Sequence, residues 1–249
     1  MEKIIAHRGA SKEAPENTLA SIELALSLEV DYIEIDVHLS KDGIPIVIHD
    51  PSAARMLGIK KSPEVSHLTL KEIQQLDVGS SFQKAFIGEK IPSLQEVLNL
   101  EWNKTGLMLE IKKSSYPTNI LVKKIFDVVF KANKPLTSIL IGSFSLEIVK
   151  EVKRHLSKTD LPIEIIGIVE KHSMIEPFIK ENVKRLAIWH QLISKKAGLL
   201  SFLKKQEIDV WSFTVDDLTL AKFLISLGVN GIISNDPRMM MESKIFYLQ

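Results

Sequence analysis

The segment Tyr32-Ile-Glu-Ile-Asp-Val-His38 carries the strongest signal in this chain. Side chains alternate between the two faces of a strand, so the isoleucines and the valine would share one face, and Glu34, Asp36 and His38 the other. Apolar residues crowd both sides of the segment, which indicates a buried strand rather than an edge strand with one exposed polar face. Two buried carboxylates two residues apart repel each other unless a cation compensates them, and a hard divalent metal takes oxygen ligands. The segment therefore predicts a buried metal-binding strand.

Composition limits the classes of protein to consider. With 249 residues, the chain can bury a large core as one α/β barrel or as two smaller domains. Apolar residues make up 45% and charged residues 25%, as in globular proteins. The net charge of +1 gives no overall field that would recruit nucleic acid or an anionic membrane. The chain has no cysteine, which excludes disulfides, thiol catalysis and iron–sulfur clusters.

The N-terminal residues give an expectation about location. Met1–His7 enters a predicted strand at once and lacks the apolar stretch of a signal peptide. No apolar segment elsewhere would cross a bilayer, so we expect no stable membrane insertion. A cytoplasmic protein is the expectation, and the sequence leaves the oligomeric state open.

Strand-like and helical segments alternate along the chain. Eight strands are predicted: Ile4–His7, Tyr32–His38, Gly106–Ile111, Ser138–Gly142, Ile163–Val169, Arg185–Trp189, Ile208–Thr214 and Gly231–Ile233. Helices are predicted between them: Thr18–Leu28, Leu94–Leu100, Asn119–Ala132, Leu146–Leu156, Ile175–Glu181, Lys195–Lys205 and Leu218–Leu227. This alternation over roughly 250 residues is typical of a (β/α)8 TIM barrel. The alternative, a doubly wound open sheet, would need a Gly-rich turn after the first strand, and Gly9 alone does not supply one.

One region interrupts the alternation after the second strand. The turn Lys41-Asp-Gly43 predicts a hairpin whose second arm is Ile44–His49, and Ser66–Glu72 is predicted as a short helix. No parallel strand is predicted from about residue 50 to 92. We interpret residues 50–92 as an insertion among the loops that follow the strands, within a single catalytic domain of residues 1–249.

Carboxylates accumulate where the predicted strands end, which is where a barrel locates its chemistry. Glu34 and Asp36 lie on the second strand, and Glu110 lies at the end of the third. Three carboxylates from neighbouring strands suit one hard divalent cation, Mg²⁺ or Ca²⁺. The type of ligand does not distinguish these two ions.

Basic residues accompany the carboxylates at the same strand ends. Arg8 and Lys112 supply fixed positive charge that suits an anion such as phosphate. His7 and His49 titrate near neutrality and can serve as acid and base, although the sequence does not assign which is which. A divalent metal, two cations and two histidines together indicate phosphoryl chemistry on a diester.

Four further residues are weaker candidates for substrate or phosphate contacts. Glu16 and Asn17 could cap the first helix or help to bind phosphate at its N-terminus. His38 shares the face of the two acidic residues, but could be structural. Ser143 could hydrogen-bond to Lys112 or simply end a strand.

Short polar motifs follow one another in a definite order along the chain. They are His7-Arg8-Gly9, Pro15-Glu16-Asn17-Thr18, Glu34-x-Asp36-Val37, Lys41-Asp42-Gly43, His49-Asp50, Ile91-Pro92-Ser93-Leu94, Glu110-Ile-Lys112, Ser143-Phe144 and Gly231-Ile-Ile-Ser-Asn-Asp-Pro237. No single motif is specific, but the ordered set resembles the glycerophosphodiester phosphodiesterase family over essentially the whole chain.

The resemblance implies a fold and an activity. The fold is the phosphodiesterase barrel of the phosphatidylinositol-phospholipase-C-like type. The activity is metal-dependent hydrolysis of small glycerophosphodiesters, such as glycerophosphocholine, to sn-glycerol 3-phosphate and an alcohol. The family pattern matches its acid/base pair to His7 and His49. It matches the metal ligands to Glu34, Asp36 and Glu110, and the phosphate contacts to Arg8 and Lys112.

The sequence departs from the family pattern near the seventh strand. The family usually has Trp-Thr-Val-Asn there, with the aromatic ring in the substrate pocket. Here the stretch Val210-Trp-Ser-Phe-Thr-Val-Asp216 leaves two candidates, Trp211 and Phe213, which have the same strand parity. The departure bears on which alcohol group is preferred, and the sequence does not identify that alcohol.

Two alternative functions are considered. One is a related barrel phospholipase that acts on membrane lipids, for which the segment Phe82–Phe86 would be the apolar contact. The other is a non-catalytic phosphoester-binding homologue, against which the complete set of acid/base and metal positions argues.

Overall fold

The structure, a computed structural model, describes residues 2–132, 139–158, 162–196 and 198–243. Nine strands lie in these residues: β1 (Lys3–His7), β2 (Tyr32–Leu39), β3 (Pro45–Val47), β4 (Gly106–Ile111), β5 (Ile139–Ser143), β6 (Ile163–Val169), β7 (Arg185–Trp189), β8 (Asp209–Phe213) and β9 (Gly231–Ser234). They correspond to the eight predicted strands and the second arm of the predicted hairpin. Ser138, the first residue of the fourth predicted strand, lies outside the described residues.

Eight of the strands close into a parallel ring. β1 pairs in parallel with both β2 and β9, and the order around the ring is β1-β2-β4-β5-β6-β7-β8-β9. β3 lies outside the ring and pairs antiparallel to β2, with Val47 opposite Val37. The predicted TIM barrel is confirmed, and ring closure excludes the open doubly wound sheet.

Helices alternate with the ring strands and cover the outside of the barrel. They are α1 (Leu19–Ser27), α2 (Leu70–Ile73), α3 (Leu94–Leu98), α4 (Thr118–Val129), α5 (Leu146–Leu156), α6 (Ile175–Lys180), α7 (His190–Lys195), α8 (Leu199–Lys205), α9 (Leu218–Ser226) and α10 (Pro237–Glu242). The single helix predicted over Lys195–Lys205 is wrong, because α7 begins at His190 and α8 begins separately. Gly198, with a φ of 82°, precedes α8, and this left-handed backbone cannot continue a helix.

Local side-chain chemistry explains where several helices begin. The Thr18 hydroxyl accepts a hydrogen bond from the Ser21 backbone N–H at the start of α1, so Thr18 and not Asn17 is the cap. Ser93 and Glu96 form the predicted capping box of α3. Asn17 is therefore free to use its side chain elsewhere.

Side chains of the ring strands alternate between the barrel interior and the helices. Ile33, Ile35 and Val37 of β2 pack outward into the main cluster between barrel and helices. The interior carries a second, smaller apolar cluster: Ile5, Met108, Leu140, Ile166, Ile168, Ala187, Trp211 and Ile233. By the same alternation, the acidic residues of β2 face the interior, as the sequence predicts. They lie above this apolar cluster, toward the C-terminal ends of the strands.

The segment predicted as an insertion lies between β3 and β4 and has an apolar cluster of its own. The members of this cluster are Ile46, Ile48, Ala53, Met56, Val65, Ile73, Val78 and Ile91. The short helix predicted over Ser66–Glu72 is divided into a 3-10 turn, Val65–His67, and α2, which Thr69 caps. Leu68 separates the two with an extended backbone. In the described part of the chain, no helix has the length and apolar character needed to cross a membrane.

The interior apolar cluster should contribute strongly to stability. Leu140 is 0% exposed, so Leu140→Ala is expected to lower the free energy of unfolding by about 2–5 kcal/mol, because the barrel cannot collapse around the cavity. Leu227 is 44% exposed, and Leu227→Ala should change the free energy of unfolding by no more than about 0.5 kcal/mol. Urea unfolding of both variants measures the difference. Equal losses would contradict the packing described here.

Candidate active site

Three carboxylates meet inside the barrel near the C-terminal ends of β2 and β4. Asp36 is the register partner of Glu110 across the parallel pair, and Glu34 is one inward-facing position below Asp36. One oxygen of each carboxylate lies within 4.8 Å of one oxygen of each of the others. All three residues are buried, with exposures of 1 to 6%. Strand register therefore places together the residues that the sequence selects as metal ligands.

Asp36 is held from several sides. The Asn17 amide donates a hydrogen bond to Asp36 Oδ2 at 2.8 Å, and the Asp36 backbone N–H donates to Asn17 Oδ1 at 3.2 Å. The Lys112 ammonium lies 2.9 Å from Asp36 Oδ1, and Arg8 Nε lies 3.2 Å from Asp36 Oδ2. Both are ion pairs without the angles of a hydrogen bond. Among the described residues, buried Asp36 Oδ1 therefore has no hydrogen-bond donor.

The carboxylates oppose one another electrostatically. Burial, and then the charges of Asp36 and Glu110, raise the pKa of Glu34 well above its usual value. Burial, and then Asp36, raise the pKa of Glu110 to about 7. Burial alone would also raise the pKa of Asp36, but Lys112 and Arg8 outweigh it and hold that pKa well below its usual range. Lys112 is also ion-paired with Glu110, so the two cations are shared among the three carboxylates and offset the charge of Asp36 most fully.

A divalent cation fits this group of residues. Carboxylate oxygens are the donors that hard cations prefer, and the three strand-borne oxygens are close enough to share one ion. The three residues could bind a metal ion, and oxygen ligation alone does not select Mg²⁺ or Ca²⁺.

Two histidines face the same cavity with the same ring nitrogen. His7 Nδ1 lies 2.7 Å from Asn235 Oδ1, and His49 Nδ1 lies 2.7 Å from Asp50 Oδ1. Because these oxygens accept, Nδ1 carries the proton on each ring, which leaves Nε2 as the nitrogen available to the cavity that both residues line. Burial, followed by the charge of Arg8, lowers the pKa of His7 to about 4, and burial also lowers the pKa of His49.

The weaker candidates have structural contacts around this centre. His38 is 5% exposed, and its Nε2 donates to the His49 carbonyl at 3.1 Å, so it supports the backbone of His49. The alternative that Ser143 bonds to Lys112 is wrong. The Ser143 hydroxyl donates to the Ile111 carbonyl at 2.8 Å and accepts from the Ser145 N–H at 3.1 Å, which fixes the end of β5. Ser143 is also only 2% exposed.

The cavity at this end of the barrel has one charged side and one apolar side. Its volume is about 150 Å³. The charged side consists of His7, Arg8, Glu34, His49, Glu110 and Lys112, and the apolar side includes Met108, Phe144, Ile168, Ala187, Phe213 and Ile233. Larger cavities, such as one of about 670 Å³ beside Lys3 and Asp31, open at the opposite end of the strands, so size alone does not locate the site.

The structure distinguishes between the two aromatic candidates on β8. Phe213 lines the cavity and packs edge-on against Phe144, with ring centroids 6.0 Å apart. Trp211 is 1% exposed and lies deeper in the barrel, 5.1 Å from the Tyr32 ring, so the prediction that it lines the pocket is wrong. Both rings point inward because they are two residues apart, but that distance along the strand places Trp211 below the cavity.

Several residues of the site are not identified by sequence reasoning. Asn235 fixes His7, and Asp216 in turn accepts from the Asn235 side chain at 2.7 Å. Asp50 fixes the other histidine, and Arg55 of the insertion donates to Asp50 and Glu16. Asp50 and Asn235 both belong to the ordered motifs of the sequence, but those motifs assign neither residue a role. These residues hydrogen-bond to other side chains of the site. Their position at the end of a strand does not reveal such contacts.

Comparison with known proteins agrees with this geometry. The sequence profile of the Glycerophosphoryl diester phosphodiesterase family matches residues 7–239. The chain is 34% identical to a glycerophosphodiester phosphodiesterase of Caldanaerobacter subterraneus over 94% of both chains. It is 30% identical to a putative glycerophosphodiester phosphodiesterase of Bacillus subtilis, again over 94% of both. A solved structure of an Oleispira antarctica phosphodiesterase with the product sn-glycerol-3-phosphate superposes with a TM-score of 0.88, at 28% identity, covering 98% of this chain and 96% of the other.

A closed barrel with this group of acidic, basic and histidine residues at the C-terminal end of its strands defines a phosphodiesterase of the TIM-barrel class. The chain belongs to the glycerophosphoryl diester phosphodiesterase family. The family resemblance drawn from the ordered motifs is confirmed.

A divalent cation should stabilise the fold through Glu34. At about 100 times its dissociation constant, Mg²⁺ or Ca²⁺ is expected to raise the free energy of unfolding by about 2.7 kcal/mol. Glu34→Gln should lose most of this gain, yet be no less stable without metal, because a buried carboxylate is removed while the Arg8 N–H keeps an oxygen acceptor. Thermal unfolding with chelator or added cation measures both effects.

Glu176, which is 75% exposed at its side chain, provides the control. Glu176→Gln should retain the full cation-dependent stabilisation. A Glu34→Gln protein that gains as much stability from the cation as the unsubstituted protein would contradict the assignment of this carboxylate as a ligand.

Proposed function

We propose that this protein is a metal-dependent glycerophosphodiester phosphodiesterase, which hydrolyses small glycerophosphodiesters to sn-glycerol 3-phosphate and an alcohol. One observation carries the proposal. Two cations, two histidines and two members of a cluster of three buried carboxylates line one cavity at the C-terminal end of the barrel. The solved structure of the Oleispira antarctica phosphodiesterase, which contains the product sn-glycerol-3-phosphate, supports this choice of product.

Glu34, Asp36 and Glu110 would hold the divalent cation, which we propose to be Mg²⁺ or Ca²⁺. When bound, such an ion neutralises charge on the phosphate and polarises its P–O bonds. To bind the ion, the three carboxylates must be ionised and fixed in position. Asn17 and the strand register both fix the Asp36 carboxylate before any ligand arrives.

Arg8 and Lys112 are suited to bind the phosphate oxygens. Their side chains are only 16% and 13% exposed, and both line the cavity beside the carboxylates. Charge-assisted hydrogen bonds from such groups are shorter and stronger than neutral ones. They would also stabilise the negative charge that develops on phosphorus-bound oxygen in the transition state.

His7 and His49 are suited to move protons. Hydrolysis forms a bond from a nucleophile oxygen to phosphorus and breaks the bond from phosphorus to the alcohol oxygen. One imidazole accepts the proton of the nucleophile at Nε2, and the other donates a proton from Nε2 to the departing alcohol. The Nδ1 hydrogen bonds to Asn235 and Asp50 keep both rings in orientations that allow this. The nucleophile is water or a hydroxyl of the substrate itself.

The apolar side of the cavity suits the organic part of the substrate. Phe144 and Phe213 present ring edges and faces there, and Ile168 and Ile233 complete the surface. These groups exclude water from the phosphate, which strengthens the electrostatic interactions in the site. They do not select one alcohol by hydrogen bonding, so the alcohol group stays open.

Release of glycerol 3-phosphate tests the proposed reaction. Glycerophosphocholine, glycerophosphoethanolamine and glycerophosphoglycerol would be assayed after chelation, and again with Mg²⁺ or Ca²⁺ restored. We expect release that stops with chelator and returns with one of the ions. Full turnover without any divalent ion would contradict the metal dependence. Turnover of lysophosphatidylcholine alone would favour the lipid-hydrolysing alternative, and binding without any turnover would favour the non-catalytic one.

Removing one imidazole should nearly stop the reaction. His7→Ala is expected to lower kcat by roughly 10²–10⁴-fold, because it removes a proton-transfer group. His67 is an exposed histidine of the insertion, and His67→Ala should leave kcat unchanged. Circular dichroism would establish that both variants are folded. A His7→Ala variant that retains full turnover would show that another group moves the proton.

A further inference from the structure

Arg55 joins two carboxylates at the rim without itself lining the cavity. Its Nε donates to Asp50 Oδ2 at 2.7 Å, and its two terminal nitrogens donate to Glu16 at 2.8 and 2.7 Å. Asp50 follows the hairpin strand β3, whereas Glu16 lies in the loop between β1 and α1. A single guanidinium from the insertion thus connects two loops that are far apart in the sequence.

The Asp50 branch leads to an imidazole. Asp50 Oδ1 accepts from His49 Nδ1 at 2.7 Å, while Asp50 Oδ2 accepts from Arg55. With one oxygen fixed by the guanidinium, the carboxylate cannot rotate about its own axis without losing a charge-assisted hydrogen bond. The plane of the carboxylate therefore determines the plane of the His49 ring, and with it the direction of Nε2.

The Glu16 branch leads to a cavity cation. Glu16 Oε1 accepts from Arg8 NH1 at 3.0 Å and from Arg55 NH2 at 2.7 Å. Glu16 therefore lies between two guanidinium groups, and Arg55 compensates for part of its charge. With Glu16 held by Arg55, the hydrogen bond from Arg8 NH1 to Glu16 fixes the orientation of the Arg8 guanidinium.

The insertion fixes the backbone of Arg55. The Arg55 carbonyl accepts from the Gly58 N–H at 3.1 Å. Two nearby residues, Ala53 before it and Met56 after it, are buried in the apolar cluster of the insertion. The side chain itself is 50% exposed. Exposed ion pairs contribute little to stability, so the position of Arg55 points to a geometric task more than to a stabilising one.

We propose that Arg55 is a positioning residue, through which the insertion orients His49 by way of Asp50 and Arg8 by way of Glu16. The proposal rests on the proposed function, because it concerns the geometry of those two residues during catalysis. A planar guanidinium is required, since three donors in a fixed fork reach both carboxylates at once. A lysine ammonium can serve one carboxylate at a time.

Steady-state kinetics with glycerophosphocholine and saturating divalent ion tests the two branches. Arg55→Met is expected to lower kcat about tenfold, the lower end of the range for a residue that orients a catalytic group through another side chain. It should also raise KM about threefold, because Glu16, which accepts from Arg8, loses both of its hydrogen bonds from Arg55. Arg55→Lys should recover less than half of the lost kcat.

The matched control is Arg154, which is 52% exposed and forks onto Glu151 on α5 with the same two kinds of nitrogen. Arg154→Met should leave both kinetic constants unchanged. A kcat and KM of Arg55→Met within about twofold of the Arg154→Met values would overturn the proposal.

Double variants separate positioning from a general structural role. In an Asp50→Ala background, Arg55→Met should lower kcat by less than about twofold more, because the group through which it acts is gone. In a Glu16→Gln background, it should likewise raise KM by less than about twofold more. Losses that multiply fully in both backgrounds would show that Arg55 does not act through these carboxylates.

The ¹⁵N NMR spectrum of the His49 imidazole gives a readout that needs no turnover. The intact protein should show a single Nδ1–H tautomer, and Arg55→Met should show a mixture of tautomers. An unchanged spectrum would overturn the Asp50 branch. If the intact protein hydrolyses no glycerophosphodiester, the proposed function fails, and the NMR comparison still decides whether Arg55 orients His49.

Discussion

Three carboxylates buried beside one another inside a barrel repel each other. The cations around them and the rigid strands that carry them act against that repulsion. Asp36 stays ionised because Lys112 and Arg8 lie within about 3 Å of its oxygens. Burial, and then repulsion from the neighbouring carboxylates, raises the pKa values of Glu34 and Glu110, and the two cations only partly offset this rise. Three buried carboxylate oxygens this close together could hold a divalent cation, which would supply further positive charge.

The barrel supplies the rigidity that this arrangement needs. Parallel register makes Asp36 and Glu110 neighbours, and the alternation of strand side chains leaves Ile33, Ile35 and Val37 to anchor the same strand against the helices. The carboxylates therefore cannot move apart to relieve their repulsion without breaking the sheet. Beneath them, the apolar interior layer around Trp211 closes the barrel from the other end. Close packing of the apolar side chains around and beneath the carboxylates keeps them in place despite their mutual repulsion.

A second layer of polar residues directs the groups that surround the carboxylates. Asn235 and Asp50 each accept from the Nδ1 of one histidine, so both imidazoles present Nε2 to the cavity. Asn17 fixes Asp36, and His38 fixes the backbone of His49. Arg55 connects the insertion to this layer. The insertion is thus a part of the site's architecture, although its own apolar cluster is separate from that of the barrel.

The sequence by itself determined the barrel, the strand that bears the acidic pair and the principal charged residues. Hydrophobic alternation and strand-end position are local signals, and Glu34, Asp36, Glu110, Arg8, Lys112 and both histidines each carry one. The break between α7 and α8 escaped prediction because helical periodicity continues across Gly198. Only the tertiary structure decided that Phe213 and not Trp211 lines the cavity, and that Ser143 bonds to a backbone carbonyl. It also decided that Asn235, Asp50 and Arg55 orient their neighbours. Depth along the barrel axis and hydrogen bonds between distant loops depend on how the ring closes, and no local pattern of residues encodes them.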